Sequence, residues 1–411
     1  MKILLAIDHF IPEIGSAAHL FHELGRELSM KGHDVKVLTT FPRPYNLNEP
    51  IGKYKRKILL NEQIDGLEVI RVRCPLAPKD NLFFRGLEQF LVPCILFIRG
   101  LFLDKPDLIV VYSPPLPLAV TSWVLSRIKR CKVIVNIQDL YPQAIIDVGM
   151  LKNRSLIKIF RQIESFVYKN ADYLTVHSNG NRDYLIEHGA PANKVEVIYN
   201  WVDTDFIRPI PKQEKFNGLD LKGKFVISYA GVLSPAQGLE VILDTAKLLE
   251  EKKDILFLLV GDGFAREALL KRAKGLSLSN IVFLPFQPKE KYRELLACSD
   301  VSLVCLRKDV ATPVVPGKLM SIMASGRPVI ASVPLMNDTV NIVKEADCGL
   351  IAEAGNAKAL AGQILKLYEN RRLLKDLGEK GRIYAEKHFS IHEGIDKYEN
   401  IFSEVCINTK R

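Results

Sequence analysis

Short apolar runs alternate with amphipathic runs along this sequence, and the alternation constrains the fold more than any other feature. The apolar runs of the first half lie at 2–8, 34–40, 106–113, 132–138 and 173–178. A polar, proline-bearing segment at 208–215 interrupts the pattern, which restarts with runs at 225–230, 255–260, 281–285, 301–306 and 329–333. Buried parallel strands joined by helices produce such a pattern. The sequence therefore predicts an α/β fold of two consecutive doubly wound domains, with 208–215 as the linker between them.

The chain length supports two domains, because 411 residues exceed what one hydrophobic core comfortably holds. We expect an N-terminal domain at 1–205 and a C-terminal domain at 206–385. An amphipathic helix at 391–401 follows once the second domain is complete. We therefore expect the segment 386–411 to pack back across the first domain.

Composition narrows the classes of partner and the cellular compartment. A formal net charge of +10 favours nucleic acid, an anionic membrane or a phosphorylated substrate. The sequence has no zinc finger, RNA-binding motif or basic repeat, so nucleic acid is not expected. Seven scattered cysteines without a CxxC pair indicate reduced thiols in a cytosol. The apolar start of the chain is too short for a signal peptide, so we expect a cytoplasmic protein.

The most apolar helical region of the sequence lies at 82–103. Arg85, Glu88 and Arg99 interrupt it, so it cannot span a bilayer. It is either a core helix that covers the sheet, which is the default, or a surface that lies on a membrane. The basic runs at 53–57 and 127–130 favour the membrane interpretation more than usual.

A lysine stands at the entrance of a short predicted helix within 315–332. Pro316 and Gly317 can begin that helix, and Gly326 can end it. A cation beside free backbone N–H groups forms an anion site. Our hypothesis is that Lys318 binds the diphosphate of a sugar nucleotide. The alternative, a solvated lysine at the start of an ordinary helix, stays open.

Several motifs occur in the order of one known family. They are Pro-Glu-Ile-Gly at 12–15, Asn-Trp-Val-Asp at 200–203, Gly-Asp-Gly at 261–263 and Ala-Ser-Gly-Arg-Pro-Val-Ile-Ala at 324–331. On these residues the chain resembles the retaining GT-B glycosyltransferases of family 4. It is also similar to bacterial O-antigen and surface-polysaccharide transferases, including N-acetylfucosaminyltransferases, through Gln-Asp-Leu-Tyr-Pro at 138–142, Gln-Gly-Leu-Glu at 237–240 and Pro-Gly-Lys-Leu at 316–319.

The resemblance implies two Rossmann-like domains that face a central cleft, with the nucleotide on the C-terminal domain. It implies a UDP-sugar donor, a polyprenyl-diphosphate-linked saccharide acceptor, and work at the inner face of the cytoplasmic membrane. Lys318, helix N-termini and loop amides can stabilise the leaving diphosphate, so neither a metal ion nor a cofactor is expected. The expected donor-binding residues are Gly15, Ser16, Gln237, Gly261, Phe286, Gln287, Lys318, Leu319 and Ser321.

Asp139 and Lys318 are the candidate catalytic residues. Asp139 follows a predicted strand and would orient or deprotonate the acceptor hydroxyl, although it could instead cap the next segment. His9, His19 and His177 are further candidates, and His177, near a strand end, is the most interesting of the three.

The sequence departs from the family pattern at two places. Relatives carry a pair of glutamates where this chain has Pro313 and Ser321. They also carry cations near the first glycine loop of the second domain, where 232–237 has none. Because of these departures, Lys318 is the residue expected to bind the diphosphate. They also keep two alternatives open: a sugar-nucleotide 2-epimerase of the same fold, and a non-catalytic sugar-nucleotide-binding protein.

Overall fold

The computed structural model describes residues 1–13, 15–43, 54, 57–75, 82–147, 149–310, 313 and 315–407. Most of the basic run at 53–57 and part of the loop at 311–318 therefore lie outside the described residues. Contacts divide the chain into two units. The first contains Met1–Tyr199 and the chain from Gly394 onward, and the second contains Asn200–Glu393.

The first unit is built on an eight-stranded sheet in the order β3-β4-β2-β1-β5-β6-β7-β8. Its strands are β1 Lys2–Ala6, β2 Asp34–Thr40, β3 Leu59–Ile64, β4 Leu67–Val72, β5 Leu108–Ser113, β6 Lys132–Ile137, β7 Tyr173–Val176 and β8 Val195–Val197. Its helices are α1 Ser16–Met30, α2 Leu82–Leu101, α3 Leu116–Lys129, α4 Gln143–Asp147, α5 Arg154–Asn170 and α6 Asn179–Glu187. Only β3 is antiparallel to its neighbour. The strand order reverses between β1 and β5, where open α/β sheets bind ligands.

Helix α2 has one buried and one exposed apolar face. Val92 and Leu96 belong to the core, and Gly100 lets α3 approach so closely that a Cβ there would lie 2.6 Å from Leu125. On the other face, Leu91 and Ile98 are exposed. The core interpretation of 82–103 is therefore confirmed for the buried face, and the membrane interpretation of the exposed face stays a prediction. Within the described chain, every helix is too short or too polar to cross a membrane.

The second unit is a second doubly wound domain. A hairpin of β9 Lys215–Phe216 and β10 Leu219–Asp220 precedes a parallel sheet in the order β13-β12-β11-β14-β15-β16. The sheet strands are β11 Phe225–Ala230, β12 Ile255–Val260, β13 Ile281–Leu284, β14 Val301–Cys305, β15 Val329–Val333 and β16 Gly349–Glu353. The helices are α7 Glu240–Leu248, α8 Arg266–Gly275, α9 Lys289–Cys298, α10 Lys318–Ala324, α11 Asp338–Glu345, α12 Ala357–Glu369 and α13 Arg371–His388. Here the strand order reverses between β11 and β14.

The predicted linker at 208–215 does not separate the units, because it lies inside the second one. Pro209 packs against Gly326, and the Lys212 ammonium lies 2.6 Å from the Asp300 carboxylate. Nearer the crossing, the Val202 N–H donates to the Phe389 carbonyl at 2.8 Å, which ties this segment to the second unit. The chain crosses between Tyr199 and Asn200, a few residues before the expected boundary at 205. The polar composition of 208–215 did not predict these contacts with residues far along the chain.

The last helix, α14 Ile391–Ile407, belongs to the first unit from Gly394 onward. The Asn136 amide of β6 donates to the buried Tyr398 hydroxyl at 3.0 Å. The Lys31 ammonium lies 2.6 Å from the Asp396 carboxylate. The return starts later than the expected residue 386, because α13 extends to His388 and packs within the second unit.

Replacing Tyr398 by phenylalanine tests how α14 is held. The substitution removes one of the two hydrogen-bond acceptors of the buried Asn136 amide, which also donates to Thr175 Oγ1, so we expect the free energy of unfolding to fall by about 1–2 kcal/mol. Urea denaturation measures the change. Lys31→Ala is the control, because its exposed ion pair with the same helix should contribute less than about 1 kcal/mol. Equal losses in the two variants would contradict the assignment.

Candidate functional site

Lys318 lies at the switch point of the second unit, between the carboxyl ends of β11 and β14. Its ammonium nitrogen lies 3.7 Å from the centre of the Tyr229 ring and 3.4 Å from Gln237 Oε1. A Cβ at Gly231 would lie 3.1 Å from the same nitrogen, so this glycine keeps space for it. The lysine is therefore held between an aromatic face and a glycine turn, and it is not a freely solvated side chain.

The charge of Lys318 is only weakly compensated. Within the described residues it forms no ion pair with a carboxylate, and burial lowers its pKa to about 7. Behind it, burial raises the pKa of the Cys305 thiol to about 12, so this neighbour stays neutral. A desolvated cation without a counter-ion attracts an anion strongly, since the interaction is poorly screened there. The site is thus suited to a phosphate or diphosphate.

Two glycines let the loops after β11 and β12 pack backbone against backbone. At Gly261, φ is +150°, and a Cβ would lie 1.9 Å from the Gly231 carbonyl oxygen. At Gly263, a Cβ would lie 2.5 Å from the Leu233 carbonyl oxygen. The Leu233 N–H donates to the Asp262 carbonyl at 2.9 Å and joins the two loops. The loop at Gly231, which Lys318 contacts, consequently has a fixed backbone.

Two predicted donor-binding residues have structural roles on α10. Leu319 is fully buried, and its N–H donates to the Pro316 carbonyl at 2.9 Å. Neither its side chain nor its amide is therefore available to a ligand. Ser321 hydrogen bonds with the Tyr292 phenol. Because α10 has only seven residues, the expected anion site depends on Lys318 rather than on the helix end.

Phe286 and Gln287 follow β13 at the same edge of the sheet. The Phe286 side chain is exposed, and within the described chain its backbone N–H and carbonyl make no hydrogen bond. Gln287 accepts from the Asn217 amide at 2.9 Å and donates to the Pro285 carbonyl at 3.0 Å. The Gln287 side chain is thus occupied, whereas Phe286 keeps free backbone groups.

Exposed apolar side chains follow several strands at this edge. Val232 follows β11, Phe264 follows β12, and Met336 follows β15, where it is fully exposed. Together with Phe286 they form what we call the apolar rim. All four side chains are largely exposed and follow strands of the same sheet.

Asp139 lies at the carboxyl end of β6 in the first unit. Its side chain is exposed, and within the described residues its carboxylate has no hydrogen bond or ion pair, so the alternative role as a cap finds no contact. The protein packed around the carboxyl group raises its pKa. Gly15 and Ser16 are also exposed, at the start of α1, and α1 has no side-chain cap.

His9, just after β1, has a geometry that the sequence did not reveal. Its Nδ1 lies 2.6 Å from Asp8 Oδ1, and the Arg43 guanidinium lies 3.8 Å from the other Asp8 oxygen. Burial lowers the pKa of His9, but the charge and hydrogen bond of Asp8 outweigh it, so the net shift is upward. His177, which the sequence favoured, is buried and pairs with the Asn181 amide at 3.1 Å.

Sequence reasoning missed Tyr229, Gly231 and the Asp8–His9 pair. The dipeptide Asp8-His9 directly after an apolar strand was the available signal for the pair. Nothing in the sequence indicated Tyr229, because it is an ordinary strand residue until the fold places Lys318 over its ring. No group of three or more potential metal ligands occurs in the described part of the chain.

Two family models match the chain in succession. The glycosyl transferase 4-like domain matches residues 15–201, and the glycosyl transferases group 1 model matches residues 211–384. The protein therefore belongs to the glycosyltransferases with a 4-like N-terminal domain and a group 1 C-terminal domain, which share the GT-B fold.

Individual relatives point in the same direction. The provisionally named colanic acid biosynthesis glycosyl transferase WcaI of Escherichia coli is 27% identical over 351 residues, which cover 79% of this chain and 82% of WcaI. An N-acetylgalactosamine-N,N'-diacetylbacillosaminyl-diphospho-undecaprenol 4-alpha-N-acetylgalactosaminyltransferase of Campylobacter jejuni is 20% identical over 58% of this chain and 62% of its own. HepE of Anabaena in complex with UDP has a TM-score of 0.74 at 17% identity, over 98% of this chain and 100% of its own.

Gly261→Ala tests the packed glycine loops. The new methyl group would overlap the Gly231 carbonyl, so we expect a loss of at least about 2 kcal/mol in unfolding free energy. Thermal and urea denaturation measure it. Gly275→Ala is the control, because a Cβ there meets nothing within 4 Å and should cost nothing or stabilise slightly. A Gly261→Ala protein as stable as the control would refute this packing.

Proposed function

We propose that the protein is a retaining glycosyltransferase that moves a sugar from a UDP-sugar to a polyprenyl-diphosphate-linked saccharide. The observation that carries the proposal is the Lys318 ammonium, which is desolvated over Tyr229 and has no carboxylate partner among the described residues. Surface-polysaccharide or O-antigen synthesis is the proposed setting, since WcaI is named for colanic acid biosynthesis.

Lys318 has the properties that a departing diphosphate requires. Transfer of a glycosyl group leaves negative charge on the diphosphate, and stabilising that charge is the main catalytic task. The lysine is already desolvated and held by Gln237 and Tyr229, so little reorganisation precedes the reaction. Exposed backbone groups at Phe286 are suited to the edge of a uracil base. HepE, which shares the fold, has been solved with UDP and with UDP-glucose.

Asp139 is the proposed contact of the acceptor hydroxyl in the first unit. Its carboxylate is exposed and has no partner in the part of the chain that the structure describes, and its raised pKa keeps it able to exchange a proton nearer neutrality. The Campylobacter relative is named for transfer to a diphospho-undecaprenol saccharide, which supports a lipid-linked acceptor here. N-acetylfucosamine is the first donor sugar to test.

Transfer of labelled sugar to a lipid-linked acceptor tests the proposal and the role of Lys318 together. Only a transferase extends the lipid; an epimerase converts the nucleotide sugar without acceptor, and a binding protein converts nothing. Lys318→Met keeps the stem over Tyr229 but removes the charge, so we expect kcat/KM to fall about 100–1,000-fold. Lys308→Ala, exposed in the same loop, should stay near wild type. A folded Lys318→Met enzyme with normal activity would refute the assignment.

The affinity for UDP should also depend on pH. Diphosphate binding needs the charged lysine, whose pKa in the free protein is about 7, so affinity should fall as the pH rises above 7. Bound diphosphate raises that pKa, so the protein should take up a proton on binding at pH ~8. Calorimetry in buffers of different ionisation enthalpy measures both effects.

A membrane-facing surface on α2 and α5 completes the proposal. The exposed residues Leu87, Leu91, Leu156 and Ile159 lie on these helices, which contact each other through Phe90 and Phe160 at 5.8 Å between ring centres. Three exposed cations adjoin the α5 part of this surface, namely Lys152, Arg154 and Lys158. Apolar residues beside cations favour an anionic bilayer, and the inner face of the cytoplasmic membrane is the proposed location.

Substituting aspartate for both Leu156 and Ile159 should weaken binding to phosphatidylglycerol vesicles at least about tenfold, because it puts charge where apolar contact is needed. Vesicle co-sedimentation measures binding, and vesicles of neutral phosphatidylcholine should bind less. Ile383→Asp, at an exposed apolar position of the second unit, is the control. Unchanged partitioning of the folded double variant would exclude this surface.

A further inference from the structure

We infer that His9, oriented by Asp8, is a catalytic base that takes the proton of the acceptor hydroxyl. The inference rests on the proposed transferase function and adds a residue to its chemistry. It starts from the geometry of the pair: His9 Nδ1 lies 2.6 Å from Asp8 Oδ1. Nε2 is then the nitrogen that faces a substrate, and within the described residues it has no partner. About a third of the His9 side chain, 35%, is exposed.

Asp8 is held firmly enough to orient the imidazole. Its side chain is only 12% exposed, and the Thr40 hydroxyl donates to its backbone carbonyl at 2.7 Å. Its second carboxylate oxygen faces the buried Arg43 guanidinium at 3.8 Å. A carboxylate that fixes an imidazole by one nitrogen and leaves the other accessible is the arrangement of a general base with its orienting group.

The position of the pair in the sheet brings it to the acceptor side. His9 follows β1, β5 is the next strand, and Asp139 follows β6 on the far side of β5. Both carboxylates are close enough to Tyr112 of β5 to affect it, because burial and the charges of Asp139 and Asp8 raise the pKa of its hydroxyl. Asp8–His9 and Asp139 therefore lie at one edge of the sheet, at the switch point where ligands bind.

The charges around His9 come from three elements. Asp8 and Glu13 raise the pKa of the imidazole, Arg43 of the segment after β2 lowers it, and Glu88 of α2 acts through its ion pair with Arg43 at 2.9 Å. The acidic excess explains why the net shift is upward, so the deprotonated imidazole is a stronger base than usual. Asp139 is then left to orient the hydroxyl.

The acceptor oxygen attacks the anomeric carbon from the same face that the diphosphate leaves, so the configuration is retained as the proposed function requires. The new bond to the acceptor oxygen forms as the bond from the carbon to the diphosphate oxygen breaks, and the bonding electrons leave with the diphosphate. The acceptor proton passes to His9 Nε2. The imidazolium then gives it to water, which restores the base without an oxidant, reductant or metal.

His9→Gln tests the inference in the labelled-sugar transfer assay. We expect kcat to fall about 100-fold or more, with UDP affinity unchanged in calorimetry. In His9→Ala, added imidazole should restore part of the rate, which a structural role would not produce. His392→Gln, exposed on α14, is the control and should keep the wild-type rate. Loss of UDP affinity in parallel with kcat, or a wild-type kcat, would overturn the inference and leave the transferase function intact.

The pH profile gives a second, independent reading. Activity needs neutral His9, so the acid limb of kcat should lie above the usual imidazole value of 6.5. Asp8→Asn removes the charge that raises this pKa, so the limb should move to lower pH while the maximum rate falls. An acid limb of kcat that stays at the same pH in Asp8→Asn overturns the inference. Absence of transfer by the wild-type enzyme with every nucleotide sugar and acceptor would instead reject the proposed function, and this inference with it.

Discussion

The interaction on which the second unit depends is the contact between the Lys318 ammonium and the Tyr229 ring, at 3.7 Å from its centre. A buried cation normally requires a carboxylate, and none among the described residues pairs with it. The ring and the Gln237 amide oxygen offer only partial compensation, which is why the lysine pKa falls to about 7. The charge is thus kept available for an anion instead of being neutralised within the protein.

The first unit has the opposite charge imbalance, which is an excess of carboxylates. Asp8, Glu13 and Glu88 surround Arg43, which is 6% exposed and forms an ion pair with each of them. One guanidinium cannot neutralise three carboxylates, so the environment favours a proton on His9. The two units therefore carry complementary chemistry: an uncompensated cation in one and a proton-accepting acidic cluster in the other.

The sequence predicted the fold better than the site, for a physical reason. Strand and helix periodicity is local, so both sheets and the return of the last helix could be expected. Lys318 could be named because Pro316 and Gly317 mark a helix start. Contacts between residues far apart in the chain could not be predicted from the sequence, because they depend on the completed sheet. Examples are the hydrogen bond from Arg327 to the Ile210 carbonyl, the contact of Ser321 with Tyr292, and the position of Tyr229 beneath Lys318. For that reason the sequence did not predict that 208–215 lies inside the second unit, or that the side chain of Leu319 is fully buried.

The apolar rim has a consequence for how such proteins diversify. A Cβ at Gly261 or Gly263 would collide with backbone atoms, and a Cβ at Gly231 would crowd the Lys318 ammonium. Val232, Phe264, Phe286 and Met336, in contrast, support no core packing and are all exposed. Substitutions at the rim should therefore change the folding stability little, whereas substitutions of these glycines should lower it. Under the proposed function, sugar preference can change in evolution through substitutions at the rim, while the Lys318 site proposed for the diphosphate is inherited unchanged.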